Sequence, residues 1–124
     1  MLILCALLWP SFNYGQTRQR GWGVSSQDTQ VLKEMDVLVK NKIIPRYTQQ
    51  SVVKSDEAKR LVESGLAILV DVRGPEEWQV SMLPNAMTSD EFKKNASKYE
   101  GQVIIFYCTI GWRSGEWASV YDKL

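Results

Sequence analysis

Residues 103–114 read VIIFYCTIGWRS, in which five apolar, β-prone residues lead into a cysteine and a short loop with one glycine follows. An apolar run that is rich in β-branched and aromatic residues is typical of a strand buried on both faces of a parallel sheet. The segment that begins at Arg113 has the character of a helix. Parallel sheets carry their chemistry just beyond the carboxyl ends of their strands, so Cys108 is predicted to lie at a functional site.

The loop after Cys108 is expected to favour a sulfur anion. Backbone N–H groups in a tight turn can form an anion-binding nest, and the next helix adds unpaired N–H groups and the positive end of its dipole. Gly111 can adopt a positive φ without steric cost, and Arg113 adds a fixed positive charge. We therefore expect the pKa of the thiol to be lowered, and a shift of about two units would leave it mostly ionised at pH 7.

Composition excludes several other kinds of site. The chain has 124 residues, which suits one domain with a modest core, and its net charge of +1 gives no reason to expect nucleic acid as a partner. It contains no histidine, which excludes Ser-His-Asp and Cys-His catalysis and weakens any zinc site. Its two cysteines, Cys5 and Cys108, cannot form a metal site on their own. The competing interpretation of Cys108 is an inert packed thiol, which is common at strand ends.

Three motifs in the second half of the chain resemble those of the rhodanese-like (sulfurtransferase) family. The stretch FYCTIGWRS, residues 106–114, is similar to the family pattern Y-C-x-x-G-x-R-S. Upstream, LVDVRGPEEW, residues 69–78, is similar to L-[IV]-D-V-R-x-x-x-E-[YFW], and LPNA, residues 83–86, resembles the turn I-P-G-A. The motifs occur in the family's order, and the resemblance covers residues 52–124.

The resemblance implies a sulfurtransferase that works without a metal or another cofactor. Cys108 would take a sulfane sulfur from a small anion such as thiosulfate, hold it as a persulfide, and pass it to cyanide or a thiol. The N–H groups that would hold the persulfide belong to Thr109, Ile110, Gly111, Trp112 and Arg113. Three further residues would support the loop: Asp71, Arg73 and Ser114. For Asp71 and Arg73 a local salt bridge with Glu76 or Glu77 is an equally good interpretation.

Two other functions stay open. The first is a rhodanese-like module that binds a partner but has no activity, although the presence of Cys108 argues against it. The second is phosphatase or arsenate reductase chemistry. The related dual-specificity phosphatases have one more residue between cysteine and arginine than the four found here between Cys108 and Arg113. The smaller loop suits a single sulfur atom better than a phosphate.

One motif departs from the family. Relatives often have G-H-I-P-G-A, whereas this chain has SMLPNA at residues 81–86, without the glycine and the histidine. Pro84 and Asn85 are expected to preserve the turn. Whatever the histidine does in relatives has no counterpart here.

The expected fold is a three-layer α/β domain with a mostly parallel central sheet between helices. The rhodanese-like domain is assigned to residues 49–124, and its last strand and helix are expected to be missing, since relatives continue beyond this point. Residues 16–48 are interpreted as a linker and a helical extension. Its apolar stripe should pack on the domain and its helix should end at Pro45; the stripe consists of Leu32, Met35, Val39 and Ile43.

Residues 1–15 are interpreted as a signal peptide. The apolar run LILCALLW, residues 2–9, is too short to span a bilayer, and cleavage is expected near Gly15. This predicts a secreted or periplasmic protein, and a cytoplasmic one if the segment is kept. The alternative is a docked N-terminal strand or a truncated start, because the run has no preceding basic residue and no A-x-A site.

Overall fold

The computed structural model describes residues 3–7 and 26–121 and shows helices packed on a parallel sheet. The helices and strands, in chain order, are β1 (Ile3–Leu7), α1 (Ser26–Leu38), β2 (Ser51–Val53), α2 (Ser55–Glu63), β3 (Ala67–Asp71), α3 (Pro75–Trp78), β4 (Ala86–Thr88), α4 (Ser89–Asn95), β5 (Val103–Cys108) and α5 (Trp112–Tyr121). The five strands lie in the order β2-β1-β5-β3-β4. Every neighbouring pair among them is parallel. The predicted α/β class is confirmed.

Strand β5 is the centre of the sheet and divides the core into two. Ile104, Phe106 and Cys108 face one side, where they pack with residues of α4 and α5. Ile105 and Tyr107 face the other side, with residues of α2. Because all five of these residues are almost completely buried, the continuous apolar run is explained by burial on both faces.

Strand β1 was the element that the sequence pattern did not favour. Ile3–Leu7 lies between β2 and β5, with Leu4 paired to Ser51 on one side and to Ile105 on the other. The structure therefore shows the arrangement of the docked-strand alternative. The predicted cleavage near Gly15 lies outside the described residues and stays a prediction, as does the expected loss of a last strand and helix.

The helical extension, defined here as residues 26–47, does not end at Pro45. Helix α1 passes into a wider turn at Val39–Ile43 and a narrow 3₁₀ turn at Ile44–Tyr47. Pro45 lies at the start of the narrow turn, where a missing N–H costs no hydrogen bond. Of the predicted apolar stripe, Val39 and Ile43 are buried, and the side chain of Leu32 lies outside the described part.

Local signals in the second half agree with the structure. Thr88 accepts a hydrogen bond from the Glu91 N–H while the Glu91 carboxylate accepts from the Thr88 N–H, which is a capping box at the start of α4 and a motif that neighbouring residues alone specify. Asn85, in the turn before β4, has a φ of 63°, a value that asparagine tolerates better than most residues. Among residues 3–7 and 26–121 no helix has both the length and the apolar character needed to cross a bilayer.

Candidate active site

Cys108 is the last residue of β5, and its sulfur lies under the loop that leads to α5. The Gly111 N–H donates a hydrogen bond to Sγ, with 3.2 Å between N and S. Gly111 makes this possible with a φ of 90°, a conformation that costs little only for glycine. The structure thus directs one backbone N–H of the loop at the sulfur.

Ser114 connects the sulfur to the first turn of α5. Its Oγ lies 3.6 Å from Sγ and donates in turn to the Gly111 carbonyl oxygen at 3.1 Å. Ser114 is completely buried. The Ser114 hydroxyl, which the sequence predicted as a support of the loop, therefore contacts the sulfur directly.

Asp71 of β3 and Tyr107 of β5 are register partners in the sheet. They lie at the same edge of the sheet as Cys108. The Tyr107 hydroxyl donates to Oδ2 of Asp71 at 2.5 Å and accepts from the Leu83 N–H. Arg73 donates to the same carboxylate through Nε and Nη2, and Nη2 also donates to the Ser81 carbonyl oxygen. This network ties β3 and β5 to the loop before β4.

The charges in this network set the protonation states of its members. Burial alone would raise the pKa of Asp71, but hydrogen bonds from Arg73 and Tyr107 outweigh it and hold the pKa below its ordinary value. Burial and the hydrogen bond to Asp71 raise the pKa of Tyr107 to about 12. The carboxylate is thus ionised and the phenol neutral throughout the physiological range.

Arg113, the arginine of the cysteine loop, is held by Glu77 of α3. Its Nη1 donates to Oε2 of Glu77 at 2.8 Å and its Nη2 to Oε1 at 3.3 Å. The Thr109 hydroxyl also donates to Oε1 of Glu77 at 3.4 Å. Hydrogen bonds from Arg113 and from the Gly74 N–H lower the pKa of Glu77 to about 2. One carboxylate therefore holds both ends of the loop.

A cavity of about 270 Å³ lies at the end of β5; its lining residues are Arg73, Ser81, Met82, Leu83, Tyr107, Cys108 and Thr109. Met82 and Leu83 come from the turn that lacks the family's histidine, so an apolar rim faces the cysteine there. The cavity is large enough for a small anion or the end of a thiol.

The predicted site residues fall into three places. Gly111 and Ser114 contact Sγ, and Asp71 with Arg73 lies next to the cavity. Thr109 and Arg113 face Glu77. The remaining two, Ile110 and Trp112, contact the helical extension.

Sequence reasoning missed two residues of the site. Glu77 was considered only as a local partner of Asp71 and Arg73, but it binds Arg113 from 36 positions away, while Arg73 binds Asp71. Tyr107 was counted as part of the strand. Its position next to the cysteine, and that of Glu77 in the family-like segment 69–78, were the available signals. Within residues 3–7 and 26–121 no cluster of three or more histidine, cysteine, aspartate or glutamate side chains could hold a metal ion.

The family follows from comparison with known proteins. The family model for the rhodanese-like domain matches residues 54–122, which is more than half of the chain. The chain belongs to the rhodanese-like domain family. Neither the curated proteins nor the solved structures gave a match. The matched residues span α2 through α5 and contain the cysteine loop, Glu77 and the Asp71 network, while β1, the helical extension and β2 lie outside them.

Proposed function

We propose that this rhodanese-like domain is a sulfurtransferase in which Cys108 carries a sulfane sulfur as a persulfide. The observation that supports this most strongly is the hydrogen bond from the Gly111 N–H to Sγ of Cys108, a residue that also lines the cavity at the end of β5. The same amide that stabilises the thiolate also lies close to where the negative charge of a persulfide develops. Stabilising charge in this way with a fixed donor is what transfer through a thiolate needs.

The reaction has two displacements. The Cys108 thiolate attacks the outer sulfur of a donor such as thiosulfate, a new S–S bond forms, and the original S–S bond breaks so that sulfite leaves with the electron pair. The terminal sulfur of the persulfide is then attacked by cyanide or a thiolate. The bond to Sγ breaks, and the Cys108 thiolate is regenerated.

The protein contributes position and charge to both steps. Gly111 and Ser114 contact Sγ, and α5 begins at Trp112, so the positive end of its dipole points toward the loop that carries Cys108. The ion pair with Glu77 ties Arg113 to α3 and thereby restrains the backbone of the loop. A loop with only four residues between Cys108 and Arg113 favours this chemistry over phosphate-ester hydrolysis.

Mass spectrometry after treatment with thiosulfate tests the proposal. The Cys108 peptide should gain one sulfur atom, and cyanide should remove it as thiocyanate. Cys108→Ser should show neither event. A wild-type peptide that stays unmodified with thiosulfate and with an alkyl persulfide as donors would instead support the silent binding module. Hydrolysis of an aryl phosphate that depends on Cys108 would support the phosphatase alternative.

A further inference from the structure

The helical extension, residues 26–47, packs directly on the cysteine loop. Val39, Ile43 and Tyr47 are only 6%, 2% and 8% exposed, and Ile110 of the loop packs against them. These three side chains lie outside the rhodanese-like domain, yet they are buried as deeply as the core of the domain. Burial of this extent indicates a fixed contact, because a loosely attached linker would leave such side chains in water.

Tyr47 of the extension contacts the first turn of α5 at two residues. Its ring meets the Trp112 ring edge to face, with 6.4 Å between the centroids and 87° between the planes. It also lies against Gly115 so closely that a Cβ at that position would overlap Cδ2 of the ring. The residues that Tyr47 touches, Trp112 and Gly115, lie on either side of Arg113 and Ser114. Tyr47 therefore fixes the first turn of α5.

A second contact holds the outer face of Trp112. The guanidinium of Arg46 lies 4.7 Å from the centre of a Trp112 ring, within the range of a cation–π interaction. The indole N–H donates to Glu116 one turn further along α5. Although 38% of Trp112 is exposed, the residue is thus held from three directions.

These contacts converge on one amide. Ile110 and Trp112, which both pack on the extension, are the two chain neighbours of Gly111, and the Gly111 N–H is the group that donates to Sγ. A shift in either neighbour would turn that N–H away from the sulfur. The helical extension therefore adds to the contacts within the domain, from Glu77 and Ser114, that position this amide.

We propose that Tyr47 is a positioning residue for Cys108, acting through Trp112, Gly115 and the Gly111 amide to favour the thiolate. An effect of Tyr47 on sulfur transfer rests on the proposed function. An effect of Tyr47 on the reactivity of the thiol does not rest on it, because alkylation also requires the thiolate.

The test is the rate of alkylation of Cys108 by iodoacetamide, measured as a function of pH. In Tyr47→Leu, which keeps apolar bulk but removes the ring, we expect the rate at pH 7 to fall about three- to tenfold and its pH midpoint to move upward. Tyr121→Leu is the matched control, since Tyr121 packs on Phe92 and Phe106 at the other end of α5. Equal profiles for the two variants would overturn the proposal.

Gly115→Ala provides an independent route, because it moves the Tyr47 ring without changing the loop sequence. The added methyl group should shift the alkylation profile in the same direction as Tyr47→Leu. In the double variant Tyr47→Ala/Gly115→Ala the space left by the ring accommodates the methyl group, so the effect of Gly115→Ala should become small. An effect of the same size in both backgrounds would contradict the proposed contact.

Two separate measurements keep this proposal distinct from the proposed function. Loading of sulfur onto the wild-type Cys108 peptide tests sulfur transfer alone. If loading fails while the alkylation profiles differ as expected, Tyr47 still positions the thiol and only the sulfurtransferase assignment is lost. If loading succeeds and the profiles are equal, the domain transfers sulfur without help from Tyr47.

Discussion

Glu77 and Arg113 form a bidentate ion pair across 36 residues of sequence, with N–O distances of 2.8 and 3.3 Å. The pair joins α3, which follows β3, to the first turn of α5, which follows β5. Thr109 donates to the same carboxylate, so the loop is anchored at two points. The arginine closest to the cysteine in sequence thus has a structural partner before any substrate binds.

Glu77→Gln should lower kcat/KM for the sulfur donor by about threefold or more, because a neutral amide holds a guanidinium more weakly than a carboxylate does. The pair is partly exposed, so its loss should change the free energy of unfolding little. Steady-state kinetics with thiosulfate and chemical denaturation measure the two effects. Glu76→Gln, at the exposed neighbouring position, is the control, and an equal kcat/KM in both variants would exclude the anchoring role.

The Tyr107 hydroxyl is the next contact to test. Tyr107→Phe removes the donor to a completely buried carboxylate and the acceptor for the Leu83 N–H. Arg73 still binds the carboxylate, but the loss of one hydrogen bond to a buried charge and of the acceptor for the Leu83 N–H costs about 1–3 kcal/mol, so the free energy of unfolding should fall by that amount. Urea denaturation at pH 7 measures it. Tyr99→Phe serves as the control, and a loss no larger than that of the control would show that the hydroxyl contributes nothing.

The same residue should make the domain sensitive to alkali. The pKa of Tyr107 is about 12 in the folded protein and 10 for an ordinary tyrosine, so the folded state keeps a proton that the unfolded chain loses between these values. The stabilisation is complete below pH 10 and is lost as pH rises toward 12, by roughly 3 kcal/mol. The difference in unfolding free energy between the wild type and Tyr107→Phe should shrink over this interval. A constant difference would contradict the raised pKa.

Asp71 should control the acid limit. Its pKa in the folded protein is below the ordinary value of 3.8, so its contribution to stability is present above pH 4 and is lost as pH falls through the folded value. Asp71→Asn should lower the free energy of unfolding at pH 7 and flatten its decrease below pH 4. Denaturation between pH 2.5 and 7 measures both effects, with the exposed Asp90→Asn as control. An unchanged acid slope in Asp71→Asn would assign the acid sensitivity to other groups.

The parts of the site that the sequence predicted are those in which neighbours along the chain determine the geometry. The strand that ends at Cys108 and the positive φ of Gly111 are both local features, and the structure confirms them. A strand of β-branched and aromatic residues followed by a glycine has few other conformations that bury it well.

Partner choice between distant charges was not predictable in this way. Arg73 had a carboxylate two residues before it and others shortly after it, and sequence distance does not show which one it binds. In the folded chain β3 and β5 are register neighbours, so Asp71 meets Tyr107 and Arg73 folds back onto Asp71, while Glu77 is left for Arg113. Only the sheet topology distinguishes these pairings.

Strand β1 shows a different limit. An apolar run of this length has the same composition whether it is a signal peptide or a buried strand, and β-branched residues are scarce in Ile3–Leu7. The strand is distinguished from the signal peptide by its place between β5 and β2 in the sheet, and that place cannot be predicted from the residues of the run itself. Cleavage near Gly15 would remove Ile3–Leu7 from the mature chain, whereas the strand pairing with β2 and β5 requires these residues.

A proline at position 4 tests the strand role of this segment. Leu4 is paired with strands on both sides, so Leu4→Pro removes a backbone donor from the interior of the sheet and restricts φ. We expect it to lower the free energy of unfolding by about 3 kcal/mol or more. Leu4→Ala keeps the N–H and separates the backbone effect from the loss of side chain. Because β1 is the sheet partner of β2 in the described part of the chain, β2 should lose its amide protection with β1. Slow hydrogen exchange at Val52 and Val53 in Leu4→Pro would contradict the pairing and favour the signal peptide. The intact mass of the protein recovered from cells shows independently whether residues 1–15 have been cleaved.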